Sequence, residues 1–301
     1  MRKWLFIFLA YVSQHANAQR LDVDLFGGIS NYQGDLQPIF FTLQNANPGA
    51  AVILKYGIHD NFYIRGGFSF GSVAASDAKN KPSLQPRNLS FRSGIKEFHT
   101  GLEYRIINPE KLQVTPYVFA GVGVFMFNPY AYGANGNQRI YLQPLSTEGQ
   151  GLSEYPDRKP YNLTQFCIPY GAGIKWQINC NLNVGFEFRQ TMLFTDYLDD
   201  VSKTYVDQTA LLRARGQLAV EMAYRRDEYD GRPYPNAGAG RGNPEQKDWY
   251  YFVGATVGLK LNDCETGGFS LGGIFRGRGG GGAFRGGSSR KIRSRVGCPR
   301  F

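Results

Sequence analysis

The segment "NLNVGFEFRQTMLF" (residues 181–194) limits the fold more than any other feature. It alternates residue by residue, with Leu182, Val184, Phe186 and Phe188 on one side and Asn183, Gly185, Glu187 and Arg189 on the other. That two-residue period is the period of a β-strand, and here the two faces meet different solvents. "FYIRGGFSFGS" sets Phe62, Ile64, Phe68 and Phe70 against Tyr63, Arg65, Gly67 and Ser69. "KEFHTGLEYRI" sets Phe98, Leu102, Tyr104 and Ile106 against Glu97, His99, Gly101, Glu103 and Arg105. In "FCIPYGAGIKWQI" the apolar face is Phe166, Ile168, Tyr170, Ile174, Trp176 and Ile178, and the other carries Gly171, Gly173, Lys175 and Gln177. Weaker patterns at 21–29, 50–58, 112–127 and 249–261 bring the strand count to eight; the segment 112–127 is apolar on both faces.

The connections separate a soluble β-sandwich from a membrane barrel. Strands two and three are joined by "HDN" (59–61), four and five by "NPEK" (108–111), six and seven by "NCN" (179–181). These are tight-turn compositions. The remaining links, about 30–49, 73–92, 129–163 and 196–248, are long, so short and long alternate strictly. A bacterial outer-membrane barrel has this rhythm, with short periplasmic turns, long outer loops and an even strand number. The predicted fold is therefore an all-β, eight-stranded antiparallel transmembrane β-barrel with both ends on the periplasmic side. Closure is required because lipid offers no partner to an open sheet edge. Tyr104, Trp176, Trp249 and Tyr250 near strand ends are expected at the membrane interfaces.

The ends of the chain agree with export. "MRKWLFIFLAYVSQHANAQ" has a basic start, an apolar stretch too short to span a bilayer, and the small residues Ala16 and Ala18, which predicts a signal peptide over 1–18. The barrel is expected over 19–263 and a Gly/Arg-rich periplasmic tail over 264–301. The net charge of +10 is concentrated late: residues 262–301 carry eight Lys or Arg against Asp263 and Glu265. In a cytosolic protein such a tail would suggest RNA binding, but export argues against a nucleic-acid partner.

On the wet faces, Lys55, Arg65, Glu97, Glu103, Arg105, Lys175, Glu187, Arg189 and Lys260 are expected to point into the lumen. Eight strands enclose a space that side chains fill, and charges of both signs predict a paired network and a plugged interior. Asp196, Asp199 and Asp200 lack the spacing of a calcium loop and are assigned to Lys203 or to the arginines of "DQTALLRARGQLAVEMAYRRDEY" (207–229), an amphipathic helix capped by Asp207, weakened at Gly216 and expected to pack over the barrel mouth. Of the four cysteines, Cys167 is an interior packing group. Cys180 in a turn and Cys264 after the last strand are a candidate disulfide at the periplasmic rim, which leaves Cys298 for intermolecular, partner-linking pairing.

Catalysis has little to work with. Past the leader there are two histidines, His59 in a turn and His99 facing the lumen near Glu97, with Ser69 the conceivable nucleophile. A barrel lipid hydrolase needs these groups at its lipid face, and the strand parity puts them inside. No metal or cofactor motif is present, and the GxG pairs at 121–123 and 171–173 lie mid-strand.

"GGISNYQGDL", "TPYVFAGVGVFMFNP", "IPYGAGIKW", "RGNPEQKDWYYF", the terminal "CPRF" and above all "TDYLDDVSKTYVD" resemble the PorG-type barrels of the Bacteroidota. That family is the outer-membrane barrel component of the type IX secretion system. The resemblance implies a non-enzymatic barrel without cofactor or small-molecule substrate. It further implies partners on the periplasmic side, a ring-forming lipoprotein and its partner protein, which the barrel ties to the outer-membrane lipid. The alternatives are a generic small barrel with an adhesion or transport-accessory role and, further off, a lipid-modifying enzyme.

Overall fold

The computed structural model describes residues 21–40, 42–107, 113–133, 136, 138–179 and 181–261. The expectations for the leader, for Cys180, Cys264 and Cys298, and for the tail fall outside them. Eight long strands form the wall: β1 (Leu21–Gln33), β2 (Asn47–Gly57), β3 (Phe62–Ser76), β4 (Ser90–Arg105), β5 (Val114–Met126), β8 (Thr164–Gln177), β9 (Leu182–Leu193) and β10 (Trp249–Lys260). Each pairs antiparallel with the next, and β10 returns to β1 through twelve register pairs from Asp22↔Lys260 to Gln33↔Trp249. The sheet has no free edge among these strands. It is a closed eight-stranded antiparallel β-barrel.

Its polarity is reversed from that of a water-soluble barrel. The outward positions are apolar and bare: Phe98 is 57% exposed, Val122 62% and Phe166 73%. The inward positions are ionic and buried, with Lys55 and Glu103 at 0% and Arg65 at 1%. This surface is stable in hydrocarbon, where an apolar wall costs nothing and every backbone group must find its partner within the protein. The strands run 11 to 16 residues, longer than the roughly 9–11 a tilted strand needs to cross. On the outward face of β4 the belt ends at Phe98, and exposed Lys96 and Arg92 follow toward the loops. The far halves of β3 and β4, paired from Ser72↔Gly94 to Ser76↔Ser90, therefore stand clear of the lipid.

Where strands approach most closely, glycines face each other. Gly28 pairs with Gly254 across the β1–β10 seam, and a Cβ on Gly28 would lie 2.2 Å from the Val253 carbonyl oxygen.

The long links sit together at one end, residues 34–46, 77–89, 127–163 and 194–248. In the third, β6 (Tyr130–Tyr132) and β7 (Arg139–Tyr141) form a small hairpin attached to β4 at Arg92↔Tyr130. In the fourth, α1 (Gln208–Arg215) starts at Asp207, whose carboxylate accepts the Ala210 N–H at 2.8 Å. Gly216 at φ 85° breaks the run, and α2 (Gln217–Ala223) follows, then a single turn α3 (Asp227–Asp230). Leu211, Ala219, Val220 and Ala223 pack on Leu152 and Val206 in a small core of their own. Met222 joins the main core, which fills the loop-side end of the barrel around Tyr32, Phe91, Phe125 and Phe252. Among the described residues no helix is long and apolar enough to cross a membrane.

Candidate functional site

The barrel interior is filled in layers. Nearest the turns, Lys55 Nζ lies 2.7 Å from Asp24 and 2.6 Å from Glu103. Lys175 Nζ meets the same Asp24 at 2.8 Å. Arg105 bridges Glu103 at 3.2 Å and Asp22 at 2.6 Å. One layer up, Arg65 contacts Glu103 at 3.5 Å and lays two hydrogen bonds on Glu187, which also accepts the Tyr117 hydroxyl at 2.8 Å. Toward the loops, Glu97 accepts from Thr191 at 3.1 Å and from Tyr250 at 2.5 Å, lies 2.8 Å from His99 Nδ1 and 3.9 Å from Arg189. Lys55, Arg65, Arg105, Lys175 and Arg189 thus face Asp22, Asp24, Glu97, Glu103 and Glu187, and the charges cancel inside the wall. Lys260 shares the inward face of β10 at the turn-side rim, half-buried and opposite Asp22.

Three features of this network go beyond the sequence expectation. Asp22 and Asp24 complete it, and their alternation with Leu21, Val23 and Leu25 was the available signal. The apolar inward face of β5 is used as well: the Arg65 guanidinium sits 3.6 Å over the Phe119 ring, and Lys55 lies 5.0 Å from Tyr117. Such cation–π contacts gain in a desolvated site. Tyr250 is a correction. It is fully buried and points at Glu97 rather than at the membrane interface, because it shares the parity of Thr256 and Lys260 on the inward face of β10. Ser69 and His99 lie within this fill, Ser69 opposite Glu97 and His99 opposite Gly67 in the strand register.

The aspartate-rich segment that follows β9 ties the long loops into one cap. Asp199 accepts the Tyr32 hydroxyl at 2.5 Å and the Val201 N–H at 2.9 Å. Asp248 stands 3.0 Å from the same Tyr32 oxygen and accepts the Leu198 N–H at 2.8 Å. Asp200, at φ 66°, accepts from Thr147 at 2.5 Å and Tyr161 at 2.7 Å. Its cationic neighbour is Arg241, 3.7 Å away and 3.1 Å from Glu148. Glu148 in turn accepts the Ser202 and Lys203 N–H groups, both at 2.9 Å. Arg87 clamps Asp77 with two 2.8 Å hydrogen bonds and reaches the Asp35 and Arg241 carbonyls. The expected pairing of these aspartates with Lys203 or the helix arginines is therefore not the one found. Arg215 turns to Ser146 and Arg213 to Glu154, because the helix packs its apolar side down and leaves those arginines outside. Among the described residues no group of acidic, His or Cys side chains is arranged to hold a metal ion.

A protein-family model described as "Domain of unknown function (DUF6089)" matches residues 1–224. The chain belongs to this family. The DUF6089 match takes in β1 to β9 and α2; β10, which closes the barrel, lies beyond it. A search of curated proteins returns no match. Among solved structures, the chain is similar to Ail, the attachment invasion locus protein of Yersinia pestis, in complex with the heparin analogue sucrose octasulfate (11% identity, 81% of this chain, 99% of that one, TM-score 0.39). It is also similar to a major outer membrane protein from Thermus thermophilus (11%, 81% and 100%, TM-score 0.40) and to Neisserial surface protein A (9%, 81% and 97%, TM-score 0.37).

In this DUF6089 chain the cap carries buried acids whose ordinary charge is disfavoured. Burial pushes Asp199 and Asp248 well up, and the nearby carboxylates add to it: Asp35 for Asp199, Asp199 itself for Asp248. Tyr32 has one hydroxyl proton and two carboxylates to satisfy, so a second proton on the pair is needed to join all three oxygens. Burial also raises Asp200 to about 6, against the pull of Arg241. Groups raised above their unfolded value stabilise the fold fully below that value, near 4, and the contribution is lost as pH rises through the folded one. For Asp200 the difference is on the order of 3 kcal/mol. The cap is expected to tighten on acidification from pH 7 to 4, seen as slower hydrogen exchange at Leu198 and Val201 after correction for intrinsic rates. Asp200→Asn is expected to flatten that dependence; an unchanged profile in the variant would contradict its assignment to this carboxyl.

Proposed function

We propose that this protein is an integral outer-membrane barrel that serves as a non-enzymatic scaffold of a type IX secretion apparatus, anchoring a periplasmic lipoprotein ring through its turn-side surface and its C-terminal tail. The observation that carries the scaffold reading is the filled, charge-compensated lumen: Lys55, Arg65 and Lys175 are each held by carboxylates of facing strands. A wall built this way leaves function to its two ends. The resemblance of "TDYLDDVSKTYVD" and its companion segments to PorG-type barrels supports the choice of apparatus.

Purification in mild detergent followed by mass spectrometry tests it. The intact chain is expected to bring down a periplasmic lipoprotein and its partner. A chain lacking residues 265–301 is expected to lose both while the barrel still shifts on gels when heated. Retention of the ring by the truncated chain would place the contact elsewhere, and absence of any periplasmic partner with the intact chain would remove the scaffold role. A second reading, adhesion or transport accessory through the outer loops, is favoured by the cap, in which Arg87, Glu148 and Arg241 cross-link three loops. That reading predicts full surface activity after removal of the tail.

A further inference from the structure

Above the lipid belt, the outward face of β3, β4 and the β6–β7 hairpin turns cationic. Lys96 marks the change. Its register partners are Phe70 on β3 and Met126 on β5, 50% and 37% exposed, and Phe98, two residues below, is the last apolar group of the belt on β4. Its stem therefore lies against the top of the acyl layer and its ammonium above it. Arg92 is exposed on the same face, about 13 Å further up the strand. Between them Gly94 and its partner Ser72 leave a gap, and a Cβ on Gly94 would meet nothing within 4 Å. The hairpin carries the face sideways. Tyr130 pairs with Arg92, and because Ala131 and Ile140 turn into the core, Tyr132, Arg139 and Tyr141 are left outside. The Arg139 guanidinium lies 5.1 Å over the Tyr130 ring.

The charge on this face is uncompensated. The segments that build it, 68–76, 90–96 and 114–147, contain no Asp or Glu. Among the described residues Arg92, Lys96 and Arg139 form no ion pair. Glu228, brought toward the hairpin by the Arg225 contact with the Tyr132 carbonyl, is itself held by Arg225 at 3.0 and 2.9 Å. Three free cations that begin where the acyl chains end fit a polyanion carried in the headgroup layer. We propose that this face binds the phosphorylated glycolipid that makes up the outer leaflet of an outer membrane, with Lys96, Arg92 and Arg139 on its phosphate groups and the exposed rings of Tyr132 and Tyr141 beside its sugars. The guanidinium fork suits phosphate oxygens, and tyrosine, apolar in body and polar at the tip, settles at headgroup level. Each cation beside an anionic lipid surface is worth about fivefold in affinity. The proposal rests on the barrel standing in an outer membrane with its long loops outward, and is independent of the scaffold role.

The test offers the full chain, in mild detergent, equimolar lipid A and the same lipid A stripped of its phosphate, the bound lipid being counted by native mass spectrometry. The phosphorylated form is expected to be retained more than tenfold over the stripped one, at about fivefold for each cation engaged. Arg92→Gln/Lys96→Gln/Arg139→Gln is expected to bring the two forms level. The charge-matched control Lys159→Gln/Arg213→Gln/Lys247→Gln removes exposed cations of the cap outside this face and is expected to keep the preference. Equal retention of the two forms by the wild type, an unchanged preference in the first triple variant, or an equal loss in the control would overturn the proposal. So would displacement of the lipid by inorganic phosphate but not by chloride of equal ionic strength, which would make the ligand a soluble anion. Heat-dependent gel mobility of each variant reports the barrel separately, so a barrel that fails to form is distinguished from a face that fails to bind.

Discussion

Glu103→Ala is expected to lower the folding stability of the barrel by about 3–5 kcal/mol, the cost of breaking a buried ion network from one side. Glu103 is the anion that most of the lower cations share. It lies 2.6 Å from Lys55, 3.2 Å from Arg105, 3.5 Å from Arg65 and 4.0 Å from Lys175. Without it Asp24 alone must serve both lysines, in an interior where Lys55 and Arg65 reach no solvent. Urea titration of folding into lipid vesicles, read by heat-dependent gel mobility, gives the number. The double variant Glu103→Ala/Lys55→Met is expected to recover part of the loss, because it removes an unpaired charge as well as its partner. A loss under about 1 kcal/mol in the single variant, the range of exposed pairs, would mean that water reaches these groups.

Gly28→Val is expected to block closure. A Cβ at Gly28 would lie 2.2 Å from the Val253 carbonyl oxygen and 2.6 Å from Gly254 Cα, and both are backbone atoms that cannot rotate away. The β1–β10 seam would have to part there, and in lipid every backbone group left unpaired costs several kcal/mol. That exceeds the roughly 1–3 kcal/mol of ordinary overpacking. The expected result is loss of the heat-modifiable folded form. Gly27→Val is the control: its side chain points to the lipid, and nothing lies within 4 Å of the added carbon. If both variants fold alike, the two strands are not held together at this seam.

The barrel was legible because its signal is redundant. Each strand repeats the same parity, as Phe98, Leu102 and Tyr104 do against Glu97, Glu103 and Arg105, and one misread position does not move the rest. Strand ends were less legible. β3 and β4 run on through Ser76 and from Ser90 beyond the belt, where the polarity turns over: Val73, Ala75, Phe91 and Ile95 join the core inside while Arg92 and Lys96 stand exposed outside. Tyr250 shows the limit of composition: position near a strand end suggested the interface, and parity, which was available, sends it inward. The helix break was readable from Gly216 and its start from Asp207, since capping and glycine act locally. The partners of Asp199 and Asp200 were not, because they come from Tyr32, Thr147, Tyr161 and Arg241, up to 167 residues away, and no local rule sets that distance.

Single cysteines introduced at Asn61 and Asn181, in two of the short turns, and at Ser83 and Asn236, in two of the long loops, and probed in intact cells with a membrane-impermeant thiol reagent, test the cylinder itself. A wall that crosses the bilayer eight times predicts that Ser83 and Asn236 are modified from outside, while Asn61 and Asn181 react only after the outer membrane is opened. Modification of either turn position in intact cells would contradict the barrel's placement and the account built on it.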